Sequence, residues 1–190
     1  MGRLVISEFV SLDGVIEDPA GGEGFSRGGW VGEIKAREEV DKVKLDEALG
    51  ARALLLGRRT YEFFAARWPS RTGALADRLN SLPKYVVSST LRDPGWSNST
   101  VLTGDVVNEV STLRQQLDGE IVVHGSLQLA RALIEHDLVD ALRLMIYPVV
   151  LGAGARLFGE TSDKKPLRLV DTQTVGDDVA FLTYELARVT

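Results

Sequence analysis

The sequence predicts an α/β protein in which a mixed, mostly parallel sheet carries helices on both faces. Short apolar runs typical of buried strands alternate with segments whose apolar residues recur every three or four positions, as in helices. Two alternating segments, 167–175 and 179–186, flank Gly176-Asp177-Asp178 and predict a C-terminal β-hairpin. Because no repeat or linker interrupts this pattern, we expect residues 1–190 to form a single domain.

The composition excludes several classes of function. With a formal net charge of −5, the chain is not expected to bind nucleic acid. It has no cysteine and only two histidines, so thiol chemistry is excluded and no metal site is expected. No N-terminal apolar stretch is long enough for a signal peptide or a membrane span, which predicts a cytoplasmic protein without membrane contact.

The N-terminal part of the chain predicts one strand, a long loop and one helix. The strand covers 4–9, and Ser11-Leu12-Asp13-Gly14 turns the chain after it. Residues 20–32 contain six glycines together with Trp30, a composition that suits a mobile lid over a site and also a disordered surface insertion. A helix with an imperfect apolar stripe follows at 33–49, and Gly50 ends it.

The stretch 53–68 organises the rest of the chain. An apolar run at 53–56 predicts a buried strand, and a helical pattern begins after Gly57. Arg58, Arg59 and Thr60 stand between them, where a helix N-terminus adds partial positive charge and free N–H groups. This combination predicts an anion site, the alternative being a pair of solvated arginines. The apolar face of the helix is formed by Tyr61, Phe64, Ala65 and Trp68.

The remaining elements continue the alternation of strands and helices. Strands are predicted at 84–88, 100–102, 120–123 and 142–150, and helices at 74–82, at 106–117 and from Ser126 onward. Ser88-Ser89-Thr90 and His124-Gly125-Ser126 follow two of these strands, although a Ser-Ser-Thr cluster can also simply form a turn. Ligands of such sheets gather at the carboxyl ends of strands, so we expect both clusters to lie near Arg58–Thr60.

Several motifs identify a family resemblance over about Leu4 to Leu186. Gly57-Arg58-Arg59-Thr60-Tyr61 resembles the Gly-Arg-x-Thr-aromatic motif of dihydrofolate reductases. The chain resembles more closely the reductase domain at the C-terminus of bifunctional riboflavin-biosynthesis deaminase-reductases. The motifs that carry this second resemblance are Ser11–Gly14, Gly125-Ser126, Leu138-Val139-Asp140, Pro148 and Leu151-Gly152-Ala153-Gly154. The resemblance implies a three-layer dihydrofolate-reductase-like fold and NADPH as cofactor.

The resemblance also implies roles for individual residues. Asp13 is expected to contact substrate or relay the catalytic proton, the alternative being a residue that only shapes its turn. Residues expected to bind the cofactor are Gly57, Arg58, Arg59, Thr60, Ser88, Ser89, Thr90, Gly125, Ser126, Leu127, Leu151, Gly152 and Gly154. Residues expected to bind substrate are Asp13, Trp30, Tyr61, Trp68 and His124; Tyr61 and Trp68 fit a helix core face equally well.

The chain departs from the riboflavin enzymes in two respects. His124 stands where those enzymes carry an acidic residue, and it is either a ligand contact or a spacing residue. The chain also lacks cysteine and any His-x-Glu motif, the zinc-binding pattern of their deaminase half.

Two functions follow from the resemblance and its departures. One is an NADPH-dependent reductase of a small pyrimidine- or pterin-like substrate, the nearest reaction being reduction of 5-amino-6-(5-phosphoribosylamino)uracil. The other is a catalytically silent NADP(H)-binding or sensing module. An open edge beside the hairpin and the apolar strand at 142–150 favour a homodimer.

Overall fold

A computed structural model describes residues 1–187, and these residues build an eight-stranded sheet in the order β4-β3-β2-β5-β1-β6-β8-β7. Strands β1 to β6 run parallel, β8 pairs antiparallel with β6, and β7 pairs antiparallel with β8. The strands are β1 (Arg3–Ser11), β2 (Ala51–Gly57), β3 (Lys84–Val87), β4 (Ser99–Leu102), β5 (Glu120–Val123), β6 (Ala141–Tyr147), β7 (Leu167–Val175) and β8 (Val179–Leu186). The predicted mixed sheet and C-terminal hairpin are therefore confirmed.

Helices cover both faces of the sheet, as predicted. They are α1 (Arg37–Gly50), α2 (Arg58–Ala65), α3 (Ala74–Ser81), α4 (Val106–Gln116) and α5 (Leu127–Glu135). Side chains of a strand alternate between the two faces, and β2 shows this directly. Leu54 and Leu56 pack with Leu79 of α3, whereas Leu55 packs with Leu113 of α4 and Leu133 of α5. The continuous apolar run in β2 thus supplies two hydrophobic cores.

Several element boundaries differ from those predicted. Residues Trp30–Glu33 form a 3₁₀ turn and α1 begins only at Arg37, because the Trp30 indole is buried and donates to the Glu17 carbonyl. Strand β6 ends at Tyr147, since Pro148 has no N–H to continue the ladder. Helix α2 begins already at Arg58, so the two arginines lie in its first turn.

The position of the candidate site follows from the way β1 changes partners. Residues 3–6 of β1 pair with β5, whereas residues 5–11 pair with β6. Beyond Ile6, the side of β1 that faces β5 has no strand partner among residues 1–187, and the two strands separate there. In this described part of the chain, no helix is long and apolar enough to cross a membrane.

Candidate functional site

A cleft of about 1070 Å³ opens at the carboxyl ends of β1, β2 and β5. Its floor lies where β1 and β5 separate, and its walls come from α1, residues 17–23 and the N-terminal turns of α2 and α5. This position agrees with the rule that ligands of open α/β sheets bind outside the carboxyl ends of strands. The predicted residues that line the cleft are Gly57, Arg58, Arg59, Thr60, Trp68, His124, Gly125, Ser126 and Leu127.

Ser126 joins the N-termini of α2 and α5 at one end of the cleft. Its hydroxyl accepts from the Gly57 N–H at 2.9 Å and donates to the His124 carbonyl at 2.8 Å. Its own N–H donates to Thr60 Oγ1 at 2.8 Å. Neither helix has a side-chain N-cap bond, so two positive helix ends with free N–H groups meet at the cleft. Such an arrangement binds phosphate groups.

Gly125 is required for this close approach of the two helix ends. It adopts a left-handed conformation with φ of 52°, and a Cβ added there would lie 2.8 Å from Thr60 Oγ1. Any other residue would push α2 and α5 apart. The glycine predicted from the motif therefore has a direct steric explanation.

Five arginines line the cleft, and two of them, Arg58 and Arg59, lie in the first turn of α2. Arg58 bonds Glu62 at 2.7 Å and Thr90 Oγ1 at 2.5 Å, which holds its guanidinium in place. The Arg59 side chain is 74% exposed and lies 3.4 Å from a Glu23 carboxylate oxygen. Arg67 stacks on Phe63 at 3.5 Å from the ring centre. Because an exposed ion pair is weak, Arg59 can exchange Glu23 for a phosphate at little cost.

His124 and Glu8 form the polar floor of the cleft. His124 Nδ1 lies 3.1 Å from the Ser7 carbonyl, which can only accept, so Nδ1 carries the proton and Nε2 is left as an acceptor. Burial, together with the Lys44 charge, lowers the pKa of His124 to about 4 and keeps the ring neutral. Glu8 is only 6% exposed, and burial raises the pKa of its carboxyl well above the usual value.

A buried ionic network supports this floor from the side of α1. Glu47 accepts from Lys44 at 2.6 Å and from the Ser7 hydroxyl at 2.8 Å, and Arg143 lies 3.5 Å away. These partners outweigh burial and lower the pKa of Glu47 to about 2. Lys44, itself a lining residue, is thereby fixed beside the cleft.

The sequence analysis missed Glu8, Lys44 and Glu47. One signal was available: Glu8 is the only charged residue in the run Leu4–Val10, which contains the first predicted strand. A buried carboxyl in such a strand is rare enough to indicate a function.

Asp13, which is expected to contact substrate or relay the catalytic proton, is not among the residues that line the cleft. Its carboxylate accepts from the Ser11 hydroxyl at 2.7 Å, the Leu151 N–H at 3.1 Å and the Gly152 N–H at 2.8 Å. These bonds hold the pKa of Asp13 far below its usual range, so it carries no proton to donate. Asp13 instead ties the turn after β1 to the loop after β6, which is the turn-shaping alternative.

Leu151, Gly152 and Gly154 also lie outside the cleft lining. Leu151 and Gly152 use their backbone N–H groups to bind Asp13. At Gly154 a Cβ would come within 2.8 Å of the Phe25 ring, so this glycine allows the loop after β6 to pack on residues 20–32. These contacts show a packing role for the loop after β6, and its expected place at the border of a cofactor site stays a prediction.

Trp30 and Tyr61 are buried and do not line the cleft, whereas Trp68 does. The Trp30 ring packs edge-to-face on Tyr147, and the Tyr61 hydroxyl accepts from the backbone N–H of Trp96 at 2.9 Å. Their apolar bodies and bonded polar atoms identify them as core residues. Of the three aromatic residues expected to bind substrate, only Trp68 therefore lines the cleft, where its ring packs edge-to-face on Phe64.

Ser88, Ser89 and Thr90 form a turn beside the cleft and do not line it. The Ser88 hydroxyl accepts from the N–H groups of Thr90 at 3.2 Å and Leu91 at 3.0 Å. Thr90 reaches the cleft only indirectly, through its bond to Arg58. These contacts agree with the alternative given in the sequence analysis, that the Ser-Ser-Thr cluster forms a turn.

The glycine-rich residues 20–32 form part of the cleft wall. The buried Asp18 carboxylate accepts from the N–H groups of Glu23 at 3.1 Å and Phe25 at 3.3 Å, and so organises the loop. Pro19, Ala20, Gly21 and Glu23 line the cleft. Within residues 1–187, no cluster of three His, Asp or Glu side chains is placed to hold a metal ion.

Similar proteins share this architecture along nearly the whole chain. The uncharacterized protein YyaP of Bacillus subtilis (strain 168) is 27% identical over 96% of this chain and 94% of its own length. The uncharacterized protein YwjB of the same organism is 26% identical over 93% of this chain and 94% of its own length. A putative riboflavin biosynthesis protein from Shewanella sp. PV-4 superposes with a TM-score of 0.79 at 21% identity, covering 98% of this chain and 99% of that one.

Two further solved structures confirm the predicted fold. Dihydrofolate reductase from Enterococcus faecalis, complexed with NADP(H), superposes with a TM-score of 0.64 at 16% identity over 98% of both chains. The deaminase/5-amino-6-(5-phosphoribosylamino)uracil reductase of Thermotoga maritima gives 0.63 at 15% identity, covering 98% of this chain and 57% of that protein. The RibD C-terminal domain model matches residues 3–181, so the chain belongs to the RibD C-terminal domain family.

Proposed function

We propose that this chain is an NADPH-dependent reductase of a small heterocyclic substrate, pyrimidine- or pterin-like. The observation that carries the proposal is the meeting of two uncapped helix N-termini, one of them with Arg58 and Arg59 in its first turn, at a cleft with a polar, buried floor. Family membership supports it, as do the neighbouring folds of a dihydrofolate reductase and of a uracil-derivative reductase. The nearest reaction is reduction of 5-amino-6-(5-phosphoribosylamino)uracil.

The residues present fit a phosphorylated dinucleotide. Gly125 lets the two helix ends approach closely, and the N–H groups at the start of α5, from Leu127 on, suit a pyrophosphate. Arg59, exposed and weakly paired, suits the additional 2′-phosphate of NADPH. When bound, the reduced nicotinamide supplies a hydride to the substrate. The chain's own residues bind the phosphates at one end of the cleft and hold the substrate at its floor.

The neutral floor suits an uncharged heterocycle. His124 Nε2 accepts a hydrogen bond from a ring N–H, and the Trp68 and Phe64 rings offer flat apolar surface. Lys44, fixed by Glu47, lies beside Phe9 at 5.2 Å from the ring centre and supplies one positive charge near the floor. A substrate phosphate, as in the phosphoribosyl compound, would lie toward the arginine-lined rim.

The alternative is a binding or sensing module that holds NADP(H) without catalysis. The exclusion of Asp13 from the cleft favours it, because the acid implied by the motif is not available there. The two functions differ in whether NADPH is consumed. We expect wild-type protein to oxidise NADPH when given 5-amino-6-(5-phosphoribosylamino)uracil or, as a second probe, dihydrofolate. Binding of NADPH without turnover on any such heterocycle would favour the silent module.

We also propose a homodimer formed through the hairpin edge of the sheet. Strand β7 is the last strand of the sheet, and its outer hydrogen-bonding edge has no strand partner in the described chain. It exposes Leu167, Leu169 and Val170, an apolar row that natural edges usually avoid. Pairing of two such edges would satisfy both features.

A further inference from the structure

Glu8 is a buried carboxyl at the centre of the sheet. It lies on β1 between Ile6 and Val10, which share its face and belong to the core around α4 and α5. At this position an aliphatic side chain would pack without cost, whereas burial of a carboxyl needs compensation. Glu8 nevertheless lines the cleft, so its buried carboxyl has access to a ligand.

The contacts of Glu8 are not those of a structural ion pair. Its Oε1 is buried and has no hydrogen-bond partner among residues 1–187, and the described residues place no cation in a salt bridge with it. Glu47 differs because its Oε2 accepts from Lys44 and Ser7, and its Oε1, which also has no hydrogen bond, lies 3.5 Å from the Arg143 guanidinium. An orphaned polar atom aimed at a cleft indicates that its partner is a ligand.

We propose that Glu8 is the catalytic acid of the reductase and donates the proton of its carboxyl to the substrate. This inference rests on the proposed function. As the carbon of the substrate's C=N or C=O bond accepts the hydride of the reduced nicotinamide, the π electron pair moves to the heteroatom. The Glu8 O–H bond breaks and the heteroatom takes that proton, so the substrate gains two electrons and two hydrogens. The Glu8 carboxylate then regains a proton from water in the open cleft.

The groups around Glu8 suit both halves of this cycle. Burial favours the neutral acid and raises the pKa of the Glu8 carboxyl, and the Glu47 charge acts in the same direction. The Lys44 charge and the Gly125 N–H favour the carboxylate, and they stabilise it once the proton has been given up. His124, at the end of β5, stays neutral and does not compete as the acid.

Tyr147 on the neighbouring strand β6 also lines the cleft, and burial raises the pKa of its hydroxyl further above the usual value. It is therefore a weaker acid than Glu8. Asp13, the acid implied by the motif, is held ionised outside the cleft lining. Among the described groups of the floor, Glu8 alone is a carboxyl whose neutral form is favoured by burial and whose conjugate base is favoured by nearby groups.

The protonation of Glu8 is measurable without any ligand. Infrared difference spectra of wild type against Glu8→Gln at pH 7 would isolate the C=O stretch of this carboxyl. We expect the absorption of a neutral carboxylic acid to be lost in Glu8→Gln and retained in Glu160→Gln, the matched removal of an exposed glutamate. If Glu8→Gln instead removes only carboxylate absorption, Glu8 is ionised at pH 7 and the inference is overturned.

The catalytic role is tested by separating binding from turnover. We expect Glu8→Gln to bind NADPH within about threefold of wild type while its turnover of 5-amino-6-(5-phosphoribosylamino)uracil or dihydrofolate falls about 10²–10⁴-fold, the usual contribution of a general acid. Glu8→Asp, which keeps a proton on a shorter side chain, should recover part of this loss and restore the alkaline decline of the pH–rate profile.

Unchanged turnover in correctly folded Glu8→Gln would overturn the role of Glu8 and leave the reductase standing. Failure of wild type to bind NADPH would remove the proposed function. Failure to turn over any probe would favour the silent module, and the spectrum of Glu8 would then decide only whether it holds its proton.

Discussion

Neutral His124 should make the folded protein sensitive to acid. An unfolded histidine takes up a proton near pH 6.5, whereas the folded ring, whose pKa is lowered to about 4, does so only at lower pH. As the pH falls between these values, the unfolded chain binds a proton that the folded protein does not, and stability is lost. At 1.36 kcal/mol per pKa unit, the complete loss is about 3 kcal/mol.

The perturbation that isolates this effect is His124→Gln. Gln has no titrating group and keeps an N–H that can reach the Ser7 carbonyl. Urea unfolding followed by tryptophan fluorescence at pH 7, 6, 5 and 4 gives the free energy of unfolding of both proteins. We expect wild type to lose about 3 kcal/mol more than His124→Gln over this range. Contributions of the other carboxyls are common to both proteins and largely cancel, and Glu47 titrates below the range.

A pH-independent difference between the two proteins would refute this reasoning. It would mean that the ring titrates as in the unfolded chain and is therefore solvated. The assignment of Nε2 as an acceptor at the cleft floor would fall with it.

Three further predictions concern the helix junction, a buried lysine and the sheet edge. Gly125→Ala should lower the free energy of unfolding by about 1–3 kcal/mol, because it combines a left-handed backbone with a Cβ 2.8 Å from Thr60. It should also weaken NADPH binding. Urea unfolding measures the first effect and NADPH titration the second, with Gly95→Ala, whose Cβ would meet no atom within 4 Å, as the control. Burial lowers the pKa of Lys84 to about 8, so as the pH rises the folded protein releases this proton before the unfolded chain does. The stability of the folded protein should therefore rise from pH 8 to about 10.5. Thermal melts should show this rise in wild type and not in Lys84→Met. Leu169→Lys should convert the dimer to a monomer by light scattering, and a monomeric wild type at the same concentration would contradict the edge pairing.

Local patterns predicted most of the fold because each strand and helix carries its own periodicity. The boundaries of β5, β7 and β8 agree with those predicted, because turn residues flank β5 and β7 on both sides and precede β8. The start of α1 was misplaced because the burial of Trp30 depends on a bond to Glu17 in a distant turn. Such a tertiary contact leaves no trace in the spacing of neighbouring residues.

The site was predicted in part for the same reason. Two polar turns, 57–60 and 124–126, converge as expected because parallel strands bring their carboxyl ends to one edge. Asp13 does not join these two turns, because its carboxylate binds the N–H groups of the loop after β6. Glu8 was missed because a single carboxyl in an apolar strand shows its burial only once β1 is enclosed by β5 and β6.

Fluorescence titration of the purified protein with NADPH and with NADH tests whether the cleft binds NADPH. We expect micromolar binding of NADPH, weaker binding of NADH, and a loss of this preference in Arg59→Ala. Arg52→Ala, which removes an exposed arginine at the opposite end of β2, should bind as wild type does. Equal affinity of both nucleotides would contradict the role of Arg59, and binding of neither would contradict the cofactor site itself.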